Sequence, residues 1–203
     1  RAIPATAVAR SPCVGVCASA VRFLTAKAGF PSPIETSFEI SCGLAAGDRV
    51  SLRLPAGFAP LKPRLGGGDP HALHALPDST VRSLDGASAA NFTAYWNANA
   101  SGLGGPAIEL VAQGVLPLAG SGAYTSAAKT SAFALTIPRE AYILTPPAGL
   151  SAEQIRAGLV RVSLNASRAG FGATRPEPVG SANAIGTVAF SSVGYAPPLA
   201  GAA

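Results

Sequence analysis

A period-two alternation over residues 34–42 limits what this chain can fold into more than any other feature. Five positions share one side of the segment: Ile34, Thr36, Phe38, Ile40 and Cys42. The residues between them are polar, and side chains alternate in this way along a strand with one buried face. The pattern returns over 50–54 after a turn signal at Gly47-Asp48, and Pro55 ends it because proline cannot donate to a sheet ladder. Together the two segments predict a β-hairpin.

Further strand signals are spread along the rest of the chain. They cover residues 21–27, 91–96, 107–113, 131–137, 160–166 and 184–193. Ser151 and Gln154 have the spacing of a capping box and Gly158 can close the last turn, so residues 151–157 predict one short helix. Abundant glycine (23) and proline (18) supply turns. The chain is therefore predicted to be all-β, an antiparallel β-sandwich of immunoglobulin-like or jelly-roll-like form with one short helix.

The domain organisation follows from where these signals begin and end. Residues 1–20 are predicted to be an N-terminal lead-in or linker, 21–195 the sandwich domain, and 196–203 a proline-rich linker. With 203 residues, two tandem sandwiches that divide near residue 100 remain open. Residues 59–90 hold no lasting period and predict a long surface loop. A first residue other than methionine predicts a piece of a longer precursor whose signal peptide has been removed.

Charge and hydropathy narrow the classes of partner. Charged residues make up 12% of the chain, about half the usual share of a soluble domain, so attached sugar would help solubility. The net charge of +5 comes from singly scattered basic residues, unlike the clustered patches of nucleic-acid binders. Weak attraction to acidic polysaccharide is the alternative to plain solvated sheet faces. No apolar run approaches the roughly 20 residues of a spanning helix. We expect no nucleic-acid partner and no direct membrane insertion.

Asparagines give the most specific signal. Three of the five asparagines, Asn91, Asn99 and Asn165, stand two residues before a serine or threonine with no intervening proline. This is the acceptor pattern for N-glycosylation in secreted proteins. Asn165 falls on the polar side of its predicted strand. The chain is therefore expected to be a secreted, extracellular glycoprotein segment with sugar at these positions.

The cysteines form an odd set of three: Cys13, Cys17 and Cys42. In an oxidising compartment one pair is expected, and Cys42 is predicted to be bridged to the N-terminal segment because it faces inward on its strand. The leftover thiol would reach another chain or another part of the precursor. The alternative is that the cysteines are buried free thiols. Three cysteines without a nearby histidine do not form a common zinc pattern, so no metal is expected.

Catalytic patterns are weak throughout. His71 and His74 lie with Asp69 and Asp78 in a loop rich in proline and glycine, which favours solvated histidines over a metal site. Gly120-Ser121-Gly122 lacks the elbow pattern of a serine hydrolase, and the carboxylates are spread along the chain. The chain is predicted to be no enzyme and to need no cofactor.

Tyr95 and Trp96 are adjacent aromatic residues in a predicted strand. Neighbours in a strand point to opposite faces, so one ring is expected in the core and the other at the surface. We expect Trp96 to be the core residue. The alternative is that this pair stacks on a sugar as a glycan-binding platform.

The segment 38–58 carries a resemblance to a known family. It combines a strand, the turn Leu44-Ala-Ala-Gly47-Asp48, a second alternating strand that ends at Leu54-Pro55, and then Phe58. In this it resembles the immunoglobulin-like repeats of mastigoneme and cell-wall surface glycoproteins of green algae. The resemblance implies an extracellular filament or wall component with N-glycans. No cysteine follows Trp96, so the inter-sheet bridge of antibody domains is absent.

The predicted function follows from strand content, sequons and the lack of catalytic groups. The chain is interpreted as a structural or assembly module of an extracellular glycoprotein, part of a filament, coat or cell wall. Its partners would be other domains or copies of the same assembly. The alternative is a carbohydrate-binding or adhesion module that uses residues 59–106 and has glycans as partners.

Overall fold

The computed structural model describes residues 15–60, 74–76, 80–83, 92–100, 105–115, 131–137, 139–141 and 143–186. Its strands are β1 (Val16–Phe23), β2 (Ile34–Ile40), β3 (Arg49–Arg53), β4 (Ala59–Pro60), β5 (His74–Ala75), β6 (Thr80–Ser83), β7 (Phe92–Ala100), β8 (Gly105–Ala112), β9 (Ser131–Ile137), β10 (Ile143–Leu144), β11 (Arg161–Ala166), β12 (Gly172–Ala173), β13 (Glu177–Pro178) and β14 (Ser181–Ala182). The helix α1 spans Ala152–Arg156, and a 3-10 turn covers Arg139–Ala141.

Two main sheets make up the fold. The five-stranded sheet has the order β14-β1-β2-β9-β6. The seven-stranded sheet has the order β12-β11-β3-β8-β7-β5, with β13 also paired to β11. All its pairings are antiparallel, whereas β1 and β14 pair in parallel. The predicted all-β antiparallel sandwich is confirmed. Strands from both sides of residue 100 share each sheet, which a division into two tandem sandwiches does not allow.

The predicted hairpin is wrong. Strand β2 pairs with β1 and β9, whereas β3 pairs with β8 and β11. Residues 41–48, which we call the crossover segment, therefore carry the chain from one sheet to the other. The alternating pattern is the same in both arrangements, because it fixes which face of a strand is buried and not which strand lies beside it.

The core lies between the inner faces of the two sheets. Phe38 and Phe133 are register partners in the five-stranded sheet, and their stacked rings lie 5.4 Å apart. Phe92 of the seven-stranded sheet meets both rings edge-on, at 5.5 Å from Phe133 and 6.1 Å from Phe38. Aromatic pairs of this geometry add about 0.5–1.5 kcal/mol beyond the area they bury. The trio therefore joins the two layers.

Helix α1 forms where its capping signals predict it. The Ser151 Oγ accepts from the Gln154 backbone N–H at 3.1 Å, and the Gln154 Oε1 accepts from the Ser151 N–H at 2.8 Å. Gly158 follows the helix with φ of +76°, a conformation that favours glycine. No helix in the described ranges is long and apolar enough to cross a membrane.

Some boundaries differ from those expected. Strand β1 begins at Val16, so part of the predicted lead-in 1–20 is sheet. Strands β4, β5 and β6 fall within residues 59–90, which were predicted as loop. Of the predicted strand 184–193, the described part forms isolated bridges at Ile185 and Gly186, and 187–193 lies outside the described residues, as does the predicted linker 196–203. Short pairings of this kind leave little periodic signal in the sequence.

Candidate functional site

Asn165 lies on an exposed position of the outer face of the seven-stranded sheet. Its register partner on β3 is Arg49. The same row continues across the sheet to Val111 on β8 and Thr93 on β7. We call this surface the Asn165 face. The Asn165 Oδ1 accepts from the backbone N–H of Ser167 at 3.2 Å and from its hydroxyl at 2.5 Å. The amide nitrogen, the atom to which a glycan is joined, has no hydrogen-bond partner among the described residues, so the structure leaves this sequon accessible.

The other two predicted sequons give less structural information. Asn99 lies near the end of β7, beyond the register shift after Asn97, and its side chain is not among those described. Asn91 lies outside the described residues. Glycosylation at both positions stays a prediction.

One row of short side chains crosses the outer face of the five-stranded sheet. Register places Ala20, Ser37 and Ala134 in this row across three strands, with Ser181 beside Ala20 and Arg82 beside Ala134. A broad hollow of about 700 Å³ lies over this row and the neighbouring one. We call this surface the small-residue face. At its border Arg22 and Glu35 approach to 3.8 Å, an exposed pair of little energetic weight.

The cysteine expectation needs correction. Cys42 is a free thiol, buried at 8% exposure in the crossover segment, so the interpretation in which Cys42 forms the bridge is wrong. Cys17 lies in β1 and is disulfide-bonded, and Cys13 lies outside the described residues. The inward direction of Cys42 was predicted correctly. An inward side chain can be buried in the core without meeting another cysteine, so its direction alone does not predict a disulfide.

The Cys42 thiol is expected to react slowly with an aromatic disulfide reagent in the folded protein. Burial, and secondarily the charge of Asp48, raise the pKa of Cys42 above its usual value, so less of the reactive thiolate is present at a given pH. Stopped-flow absorbance should show slow labelling near pH 8 that accelerates as the pH rises, and rapid labelling in denaturant. Equal rates in folded and unfolded protein would contradict the buried placement, and Cys42→Ala serves as the blank.

Asp48 is a site that sequence reasoning missed. Its carboxylate is 2% exposed and accepts three backbone N–H groups: Ala45 at 2.8 Å, Arg168 at 2.9 Å and Ala169 at 3.2 Å. The last two belong to the turn that follows β11, so one carboxylate fastens the crossover segment to a distant turn. The only local signal was an acidic residue after a turn glycine.

The backbone conformation before Asp48 favours glycine. Gly47 has φ of +88°, and a Cβ there would lie 2.6 Å from an Arg168 guanidinium nitrogen. That guanidinium donates to the Ala46 carbonyl oxygen at 3.1 Å. The Gly-Asp pair of the turn motif therefore has a structural explanation.

Tyr95 and Trp96 separate as their alternation predicts. Trp96 is 2% exposed and belongs to the core, so it cannot stack on an external sugar. Tyr95 is half-buried on the outer face, in register with Glu109. The Glu109 carboxylate is only 7% exposed and accepts from the Ser51 hydroxyl and, at 3.5 Å, from the Asn97 amide. Of the predicted pair, Tyr95 alone keeps an outward position.

The predicted histidine and aspartate constellation cannot be assembled from the described residues. Three of its residues, His71, Asp69 and Asp78, lie outside the described part of the chain. For His74 only the backbone is described, and it lies in β5 in register with Trp96. Within the described ranges there is no group of three or more histidine, cysteine or carboxylate side chains that could hold a metal ion.

Comparison with known proteins assigns neither a family nor a function to this chain. No known family, no curated protein and no solved structure matches this chain. The function must therefore be inferred from the two outer faces and the residues on them.

Proposed function

We propose that the chain is an assembly module of an extracellular glycoprotein, with sugar on the Asn165 face and a neighbouring copy packed on the small-residue face. The observation that carries this proposal is the difference between the two outer surfaces of one sandwich. One surface carries an exposed sequon, and the other has a patch of alanine and serine with Arg22, Glu35, Glu39 and Arg82 at neighbouring register positions. A glycan on the first surface leaves the second free for contact.

The small-residue face suits contact with another sheet. Packed sheets lie about 10 Å apart, and short side chains bring the two layers together without forcing long polar chains out of water. A solvated outer face usually carries longer polar residues on its outward positions. Here Ala20, Ala134 and Ser37 take three adjoining outward positions, and the hollow of about 700 Å³ over them gives an opposing surface room to enter.

The extracellular setting is supported by independent features. A disulfide-bonded Cys17 and the sequon at Asn165 both suit a secreted protein. The low charged fraction of 12% also suits a domain whose solubility comes partly from sugar. The resemblance of residues 38–58 to repeats of algal surface glycoproteins remains a prediction that points the same way.

Ala134→Arg is expected to abolish self-association of the secreted protein, because it places a long charged side chain beside Ser37 in the row of alanine and serine. Thr93→Arg is the matched control, since it makes a similar change on the Asn165 face. Sedimentation velocity over a range of concentrations should show assembly for the unmodified protein and for Thr93→Arg, and monomer for Ala134→Arg. Monomer at every concentration for the unmodified protein, or equal assembly by both variants, would contradict the proposal.

A further inference from the structure

The last described segment of the chain lies along the first strand. Residues 179–186, which we call the closing segment, contain β14 and pair in parallel with β1. The pairing continues past the end of β1. The Gly186 N–H donates to the Ala26 carbonyl oxygen at 2.9 Å, and the Gly186 carbonyl oxygen accepts from the Ala28 N–H at 3.0 Å. The contact between the two segments is therefore longer than the two residues of β14.

A side chain bridges the gap between these two pairings. The Asn183 Oδ1 accepts from the Phe23 N–H at 2.7 Å, and the Asn183 Nδ2 donates to the Phe23 carbonyl oxygen at 3.0 Å. The amide thus makes the two hydrogen bonds that the backbone of a neighbouring strand would make there. Nearer the start of the closing segment, the Gly180 N–H donates to the Ser19 Oγ at 3.3 Å. Hydrogen bonds therefore follow β1 from its middle to its end.

The closing segment is also fixed to the rest of the sandwich. Val179 and Ile185 are buried, at 8% and 2% exposure. Ile185 exchanges two backbone hydrogen bonds with Leu150, each of 2.9 Å, and the Val179 N–H donates to the Val160 carbonyl oxygen at 3.1 Å. These contacts hold the segment against β1 from both of its ends.

The parallel direction decides how this pairing responds to tension. Gly15 precedes the start of β1, whereas Gly186 lies beyond its end. The eight residues of β1 alone separate these two points by about 23 Å. Tension applied at Gly15 and Gly186 therefore pulls the two segments past each other, and the hydrogen bonds between them, which lie across the strands, are loaded together. In an antiparallel pair the same two points would lie at one end, and the bonds would open one after another.

We propose that this domain bears tension along the direction of β1, and that the pairing of β1 with the closing segment is what resists unfolding under load. The role goes beyond assembly. It depends neither on sugar at Asn165 nor on contact through the small-residue face, because the hydrogen bonds involved lie within one chain. The partners that it requires are structures joined to the chain beyond Gly15 and beyond Gly186.

Single-molecule force spectroscopy of the full chain, with handles at its two termini and the disulfide intact, tests the role. The quantity measured is the lifetime of the folded domain at one constant force, which the unfolding rate governs. Asn183→Ala should unfold roughly tenfold faster or more, because two hydrogen bonds of the pairing are lost. Ser19→Ala is a milder change that loses one such bond, and it should unfold roughly threefold faster.

Asp48→Asn separates resistance to force from overall stability. The Asp48 carboxylate joins the crossover segment to the turn after β11, outside the pairing. This variant should lower the free energy of unfolding in urea but change the lifetime under force by no more than about twofold, because its contacts are still intact when the pairing breaks. Equal shortening of the lifetime in Asp48→Asn and Asn183→Ala, or unchanged lifetimes in both Asn183→Ala and Ser19→Ala, would overturn the role.

Discussion

Replacing Asp48 with alanine is expected to lower the free energy of unfolding by about 3 kcal/mol, since three backbone N–H groups lose an ionised acceptor in a buried position. Two of those donors, Arg168 and Ala169, lie some 120 residues further along the chain. The substitution therefore releases the crossover segment from the turn after β11. Urea denaturation followed by tryptophan fluorescence gives the measurement, because Trp96 is the single tryptophan and is buried.

Two controls test the cause of that loss. Asp48→Asn keeps one acceptor oxygen and should lose about half as much stability. Arg168→Ala leaves the Arg168 backbone donor in place and removes only an exposed side-chain contact, so its effect should stay within about 1 kcal/mol. A loss in Arg168→Ala as large as that in Asp48→Ala would show that the side chain and not the carboxylate fastens the two turns.

Trp96→Ala is expected to cost about 4 kcal/mol, the range for deletion of a fully buried aromatic side chain. Trp96 is 2% exposed and lies on the inner face of β7, in register with Ile108. Thermal unfolding by circular dichroism measures the change, since the fluorescent side chain is removed.

The neighbouring residue provides the matched comparison. Tyr95 occupies the opposite face of the same strand and is half-buried, so Tyr95→Ala should cost only about 1 kcal/mol. Comparable losses at the two positions would mean that the alternation along β7 does not separate a core face from an outer face. The same variant bears on the carbohydrate-binding alternative, because unchanged binding on a glycan array in Tyr95→Ala removes the only outward aromatic of the predicted pair.

Face-by-face burial is the part of the fold that sequence pattern predicts well. Residues 34–40 and 160–166 were assigned inner and outer positions from period-two alternation, and Phe38, Leu164 and the exposed Asn165 lie as expected. The reason is local, because the pleat alone decides which side of a strand each residue occupies. The capping box of α1 is local in the same sense and was also predicted.

Strand pairing is the part that the pattern does not contain. Residues 34–40 and 49–53 fit a hairpin and a crossover between sheets equally well, because both bury the same side chains. The choice depends on contacts made far along the chain, such as the Asp48 carboxylate with the turn at Arg168. No short-range signal marks such a partner.

The candidate sites differ in the same way, because one depends on a single strand and the other on how strands pair. Exposure of Asn165 follows from its own strand, whereas the row of Ala20, Ser37 and Ala134 needs the register among three strands. Cys42 was likewise directed inward correctly, but it is a free thiol and not the bridged cysteine that was predicted.

Glycopeptide mass spectrometry of the protein secreted from eukaryotic cells tests the central claim, that the Asn165 face carries sugar while the opposite face is left for contact. The peptide that contains Asn165 should carry an N-linked glycan that an amidase removes with conversion of asparagine to aspartate, and both Asn165→Gln and Ser167→Ala should lack it. An unmodified Asn165 in protein that has passed through the secretory pathway would contradict that claim.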